Sequence, residues 1–421
     1  MMNMLASLFK NRQFQSIACI QVFNVFGANL IAPVLPLYLS LQGMSASRVG
    51  MVMGIMAIGA LVMRPLAGRS VDQRGSRPVI LFGQGLLGVC FASFLWLTTF
   101  WPLLLIRFIQ GAAQSFYSTA AVTFASSVES PQNTASAISM FTVFTMIGLG
   151  SATSLGPLVF LEIGFVRLIL ISLAALGIAV SFTIWRALPI APIRDTEIPP
   201  FSSVLHLKAV WAPTVCLFAS NFVFSTLFTF VPLYAVSVSL QDYSVFYICF
   251  AVAVIATRLG VQQLTQTFRA ETVATVASLM NVGSALIIAI YPSAFTFAAS
   301  GVLIGLGFGV IFPALTIYVI QRISPAIKGT GLSILTASGD VGNALGAAIL
   351  GIVAEYFGFR WVFGLSALVV VVCTRYFYVT LVVNERKVSP WTNQTIKKRT
   401  IPKYKIPNQQ LLRTFSRLYG K

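Results

Sequence analysis

Read for its spacing of apolar and polar positions, the chain divides into long apolar runs separated by short polar breaks. A helix needs about 20 mostly apolar residues to cross about 30 Å of hydrocarbon. By that ruler the runs fall at 15–41, 49–68, 79–99, 101–126, 136–161, 167–188, 209–238, 243–265, 272–292, 295–320, 330–356 and 361–383. Membrane strands would alternate apolar and polar residues with a period of two, and these runs do not. The pattern predicts an all-α membrane protein with twelve transmembrane helices. The first run, preceded by Lys10 and Arg12, is too long for a secretory h-region and reads as a helix that stays.

The breaks are informative in their turn. From Pro189 to Lys208 the chain carries four prolines with Arg194, Asp195 and Glu197, which reads as a linker between two sets of six helices. The predicted divisions are therefore 1–188, a linker at 189–208, 209–383, and a basic tail at 384–421. The two sets also repeat each other. An offset of 194 residues pairs Arg64 with Arg258, Gly111 with Gly305, Ser130-Pro131 with Ser324-Pro325, and Gly164-Phe165 with Gly358-Phe359. An offset of 196 pairs Pro36-Leu37-Tyr38 with Pro232-Leu233-Tyr234. Parallel six-helix repeats of this kind are a transporter architecture, with the substrate site between the halves near the midplane.

Composition agrees with the pattern. Hydrophobic residues make up 57% of the 421 positions and charged ones 9%, with a mean hydropathy of +0.87. Soluble domains carry about 25% charged residues, so this chain lacks the coat that water demands. The net charge of +18 does not point to nucleic acid, because ten of the 28 Lys and Arg residues lie in the tail and most others in short loops. With the amino terminus inside, the outer loops hold only Arg48, Arg167 and Arg360 as cations. That asymmetry predicts cytoplasmic termini in a cell inner (plasma) membrane. The tail reads as a solvated arm drawn to anionic lipid.

Few residues carry chemistry. The five cysteines stand singly in apolar runs and read as small buried hydrophobes, and His206 is the only histidine. Neither a metal site nor a cofactor is implied, and no phosphate-binding loop signals nucleotide drive. Nor is there a clustered nucleophile or a pair of acids within the runs, so the chain does not read as an enzyme. Charges at membrane depth need a reason, and two stand out. Arg107 heads a stripe with Gln110, Gln114 and Ser118 on one face of the fourth helix; it either lines a substrate or proton path or snorkels to headgroups. Asp340 lies near the middle of the eleventh helix with Thr336 and Asn343 on its face, either as a proton-carrying carboxyl or as a hydrogen-bonding contact between helices. Gln21, Asn24 and Asn29 in the first helix and Asn221 in the seventh stand as cavity-lining groups or as polar glue between helices.

The stretch Arg64 to Arg77 packs five charged residues into 14 positions and reads as a charged turn between the second and third helices. Its core, Gly68-Arg69-Ser70-Val71-Asp72-Gln73-Arg74-Gly75-Ser76-Arg77, resembles the pattern Gly-x-Leu-x-Asp-Arg-x-Gly-Arg-Arg of the major facilitator superfamily. Gly68, Asp72, Gly75 and Arg77 match, while Ser70, Gln73 and Ser76 depart from it. Arg107-Phe108-Ile109-Gln110-Gly111 is similar to a second pattern of that family, in its fourth helix. The glycine-rich fifth-helix pattern of its antiporters is matched in part by Gly148, Gly150 and Gly156-Pro157, with Ala152, Phe160 and Leu161 where further glycines would stand.

The resemblance covers residues 15–383 and implies twelve helices in two pseudo-symmetric six-helix bundles that work by alternating access. It places Arg107 in the cavity wall with a part in proton coupling. It makes the charged turn a gate, with Asp72 facing the amino end of the eleventh helix near Thr330 and Gly331, and with Arg74 and Arg77 as candidate partners of Glu129. The function implied is secondary transport: export of a small organic molecule such as a drug, secondary metabolite or siderophore, driven by protons. Uptake of a nutrient such as a sugar or peptide, and a non-transporting membrane receptor, are the alternatives. The expected partners are a small-molecule substrate, the proton and the lipid bilayer, with the protein acting as a monomer.

Overall fold

The computed structural model describes residues 11–96, 99–127, 134–186, 207–240, 243–323 and 328–383. Most of the linker, the tail and Glu129 lie outside the described residues. Twelve helical spans follow one another. The first is built from Arg12–Asn29 and Leu35–Leu41, the second is Ala46–Arg74, the third Ser76–Ser93 and the fourth Phe100–Ser127. The fifth and sixth form one helical stretch, Thr134–Trp185, divided at Gly164. Then come Lys208–Ser237, Ser244–Thr267, Ala270–Ile290, Ala294–Arg322, Lys328–Phe357 and Phe359–Phe377, the last continued by a π turn at Tyr378–Val383. Eight of the helical stretches are long and apolar enough to cross a membrane. Exposed apolar side chains such as Leu158, Leu170 and Val252 coat the bundle. Exposed Trp96, Trp101 and Trp361 lie near one end and Trp185 and Trp211 near the other, the two levels at which amphipathic rings meet lipid headgroups.

The repeat read from the sequence is built into the packing. Gly111 of the fourth span lies against the carbonyl of Met56 in the second. Gly305 of the tenth lies against the carbonyl of Phe250 in the eighth, so both members of the contact are related by the offset of 194. Gly164 and Gly358, also so related, turn the chain with φ of 79° and 84°. Side chains avoid that region, so glycine permits the abrupt reversal between consecutive helices. At the other offset Gly43 has its counterpart in Ser239, which keeps a positive φ of 58° without being glycine.

Two local expectations are corrected. The stretch from Arg64 to Arg74 is not a loop: the second span continues as helix through Pro65 to Arg74, and the turn is confined to Gly75 at φ 79°. The first span is not continuous, because the chain breaks at 30–34, around Pro33, before resuming at Leu35. All five cysteines are free, but Cys19 is exposed and only Cys90 and Cys216 are fully buried.

Candidate functional site between the two halves

Spans one to six and seven to twelve meet along two arms, one formed by spans two and eleven and the other by spans five and eight. Both arms pack closely toward the end that carries Gly43, Gly164 and Gly358. In the first arm Gly50 and Gly54 of span two lie against the backbone at Ala347 and Ala344 of span eleven, and Gly351 lies against Ala46. The Ser47 amide donates to the Glu355 carboxylate there, at 3.1 Å. In the second arm Gly150 meets Ala251 and Ile255, and the Ser154 hydroxyl donates to the Tyr247 carbonyl at 3.3 Å. Small residues let the backbones approach this closely.

At the deep end of the first arm stands an ion pair. The Arg64 guanidinium donates to the Asp340 carboxylate at 2.5 Å, with side chains 30% and 19% exposed. Asp340 lies 12 residues into its helix, about 18 Å along the axis at 1.5 Å per residue, near the middle of a bilayer. One turn beyond Arg64, nothing comes within 4 Å of where a Cβ would sit on Gly68. The pair is thus where the closed part of the arm gives way to open space. Asp340 had stood in the sequence without an obvious cation, and Arg64 as a landmark of the repeat and the first residue of the charged turn. The two are 276 residues apart.

Around this pair the other candidate residues fall into separate groups. Asn343 donates to the Asn221 side-chain oxygen at 3.4 Å, and the Ser225 hydroxyl donates to the Asn343 carbonyl at 2.7 Å. This joins spans seven and eleven one turn from Asp340. Gln21 donates to Thr145 at 2.8 Å and accepts from the Tyr117 hydroxyl at 2.7 Å, joining spans one, five and four. Asn24, one turn further along span one, is fully buried, and neither of its amide atoms has a partner. Arg107 does not snorkel: it is 4% exposed. Its Nε donates to the Val52 carbonyl at 3.2 Å and one terminal nitrogen to Gln110 at 2.8 Å. Gln114 is half-buried, with its oxygen unpartnered. No bond links the Arg107 group to Asp340, so the structure does not gather the candidates into one cluster.

The expected gate is not engaged. Asp72, Gln73 and Arg74 are exposed, and the neighbours of Gly331 are Ile323, Val319 and Val210 rather than residues of span two. The physical reason is local: with nothing opposite Gly68, the turn has no helix terminus to meet. Arg77 donates instead to the Ile184 carbonyl at 2.9 Å, satisfying an end of the sixth span. Its proposed partner Glu129 is outside the described residues. Among the described residues, no group of three or more His, Cys, Asp or Glu residues is arranged to hold a metal.

A model of the family described as the Major Facilitator Superfamily matches residues 17–294 and 238–417. The chain belongs to this superfamily. It is 25% identical over 368 residues to the staphylopine export protein of Staphylococcus aureus, covering 82% of this chain and 91% of that one. Among solved structures it matches the nucleoside transporter NupG with a TM-score of 0.67 at 17% identity, over 88% of this chain and 99% of that one. It matches a bacterial homologue of the human lysosomal transporter Spinster, in an inward-facing and unoccupied conformation, with a TM-score of 0.69 at 14% identity. That match covers 87% and 96% of the two chains. The chain is therefore a multi-pass membrane transporter by family and fold.

Proposed function

We propose that this transporter exports a small organic molecule by proton antiport, and that the Arg64–Asp340 pair couples the proton to alternating access. The observation that carries the reading is the position of the pair. It joins the two halves at the boundary between the closed and open parts of the first arm, so its charge state bears directly on closure. Protonation of Asp340 removes the ionic attraction and leaves Arg64 facing a neutral group. The seam beyond it keeps its packing and the polar contact of Glu355 with Ser47. The arginine asymmetry of the loops supports cytoplasmic termini in a plasma membrane. On that orientation the structure is open to the cytoplasm, ready to load cargo for export. The similarity to a protein named an exporter supports the direction.

Untargeted small-molecule profiling of cells and medium, with and without the protein, tests the reading. An exporter leaves its cargo accumulated inside the deletion strain and depleted from the medium, and wild-type protein but not Asp340→Asn restores release. Accumulation outside and depletion inside would mean uptake and would overturn the export assignment.

A further inference from the structure

The two arms of the seam are related by the repeat but differ in charge. At the offset of 194 residues, Arg258 of span eight takes the place of Arg64, and Met146 of span five takes the place of Asp340. Gly150 abuts Ala251 and Ile255, so the antiparallel helices bring the turn around Met146 toward that around Arg258. Arg258 lies two turns from Ala251 on the same face. Met146 is 7% exposed, and Thr142, Val143, Phe144 and Thr145 beside it offer no carboxylate.

Arg258 is itself 9% exposed, and its Nε is buried without a hydrogen-bond partner. The described acids are committed or distant. Asp340 pairs with Arg64, Glu271 with Arg322 and Glu355 with Ser47, while Asp72 and Glu162 are exposed near the two ends of the bundle. A buried cation without a counter-charge is costly and marks a missing partner.

We infer that Arg258 binds an anionic group of the cargo, a carboxylate or a phosphate. That group supplies in the second arm the negative charge that Asp340 supplies in the first. A guanidinium presents a planar fork of donors that matches such groups two bonds at a time. The inference rests on the reading of the chain as a transporter whose cargo sits between the halves, and it narrows that cargo to anions. One arm then closes on a charge of the protein, the other on a charge of the cargo.

Thermal melting of the full chain in a neutral maltoside detergent tests this, with citrate, inorganic phosphate, phosphatidylglycerol micelles and sodium chloride compared at equal ionic strength. The expected result is saturable stabilisation by citrate or phosphate beyond that of chloride, weakened about tenfold or more in Arg258→Gln and partly kept in Arg258→Lys. Met146→Glu supplies the missing acid, so it abolishes the response while melting no lower than wild type. This second variant keeps the test decisive if Arg258→Gln fails to fold. A response unchanged in these variants, a response to neither soluble anion, or one to phosphatidylglycerol alone overturns the inference. No gradient is applied, so failure of proton coupling or of the export direction leaves this result readable, and the reverse also holds.

Discussion

Asp340→Asn keeps the size of the side chain and removes its charge, leaving Arg64 without a counter-ion at the deep end of the first arm. The magnitude follows from the burial of the pair. A fully exposed pair contributes about 0–1 kcal/mol, and breaking a fully buried one costs about 3–5 kcal/mol. With side chains 30% and 19% exposed, the loss falls between these, at roughly 1–3 kcal/mol, or about 5- to 150-fold in an equilibrium between two conformations. The pair bridges the halves beside the close contacts of Gly50 and Gly54, so its loss should shift the population toward opening at that end. Spin labels at Gln42 and Val238, exposed positions at the ends of spans one and seven, report the separation of the halves there by pulsed electron resonance. Longer distances are expected in Asp340→Asn and in Arg64→Gln. The double variant should add little to either, because both remove the same interaction. The exchanged pair Arg64→Asp with Asp340→Arg should move the distances back toward wild type. Unchanged or shorter distances in the single variants, or fully additive effects, would refute the reasoning.

Further outcomes follow from the packing at Gly50, Gly75, Gly68 and Arg107. Gly50→Val places a branched side chain against the backbone at Ala347, so the same labels should report opening at that end with the ion pair intact. Gly75→Ala forces a side chain into a backbone region reserved for glycine, at φ 79° and ψ 169°, and should lower stability by about 1–3 kcal/mol in thermal melting. Gly68→Ala, inside the helix and with open surroundings, should leave stability unchanged or raise it by up to about 1 kcal/mol. Arg107→Gln loses the bond to the Val52 carbonyl and frees Gln110, lowering stability by roughly 1–3 kcal/mol. Arg107→Lys should restore little of that loss in the same melting assay, because an ammonium lacks the fork that serves both acceptors.

The helices and their repeat could be read from the sequence because both rest on local rules. An apolar run must be long enough to span lipid, and glycine must stand where helices touch or the chain reverses, as at Gly111 and Gly305 or Gly164 and Gly358. The stripe on span four was equally visible, since Arg107 and Gln110 are three residues apart and meet as that spacing requires. What was hidden depends on how the halves meet. Nothing near Asp340 in the chain announces Arg64, because the contact is made between spans two and eleven. The continuation of the second span to Arg74 was masked by Pro65, which reads as a helix breaker in water but is tolerated in a membrane helix. Asp72 was placed by its family pattern against the eleventh helix, whereas here it is exposed, and a family pattern does not carry the relation of the halves that would decide the contact.

The measurement closest to the central claim uses the compound that profiling identifies, loaded into liposomes carrying the purified protein. Its efflux is followed while a pH gradient is imposed across the membrane. The account predicts that wild-type efflux follows the gradient, whereas Asp340→Asn still exchanges the compound across the membrane but no longer responds to pH. Wild-type efflux indifferent to the gradient, or an Asp340→Asn protein that follows it as wild type does, would contradict the account.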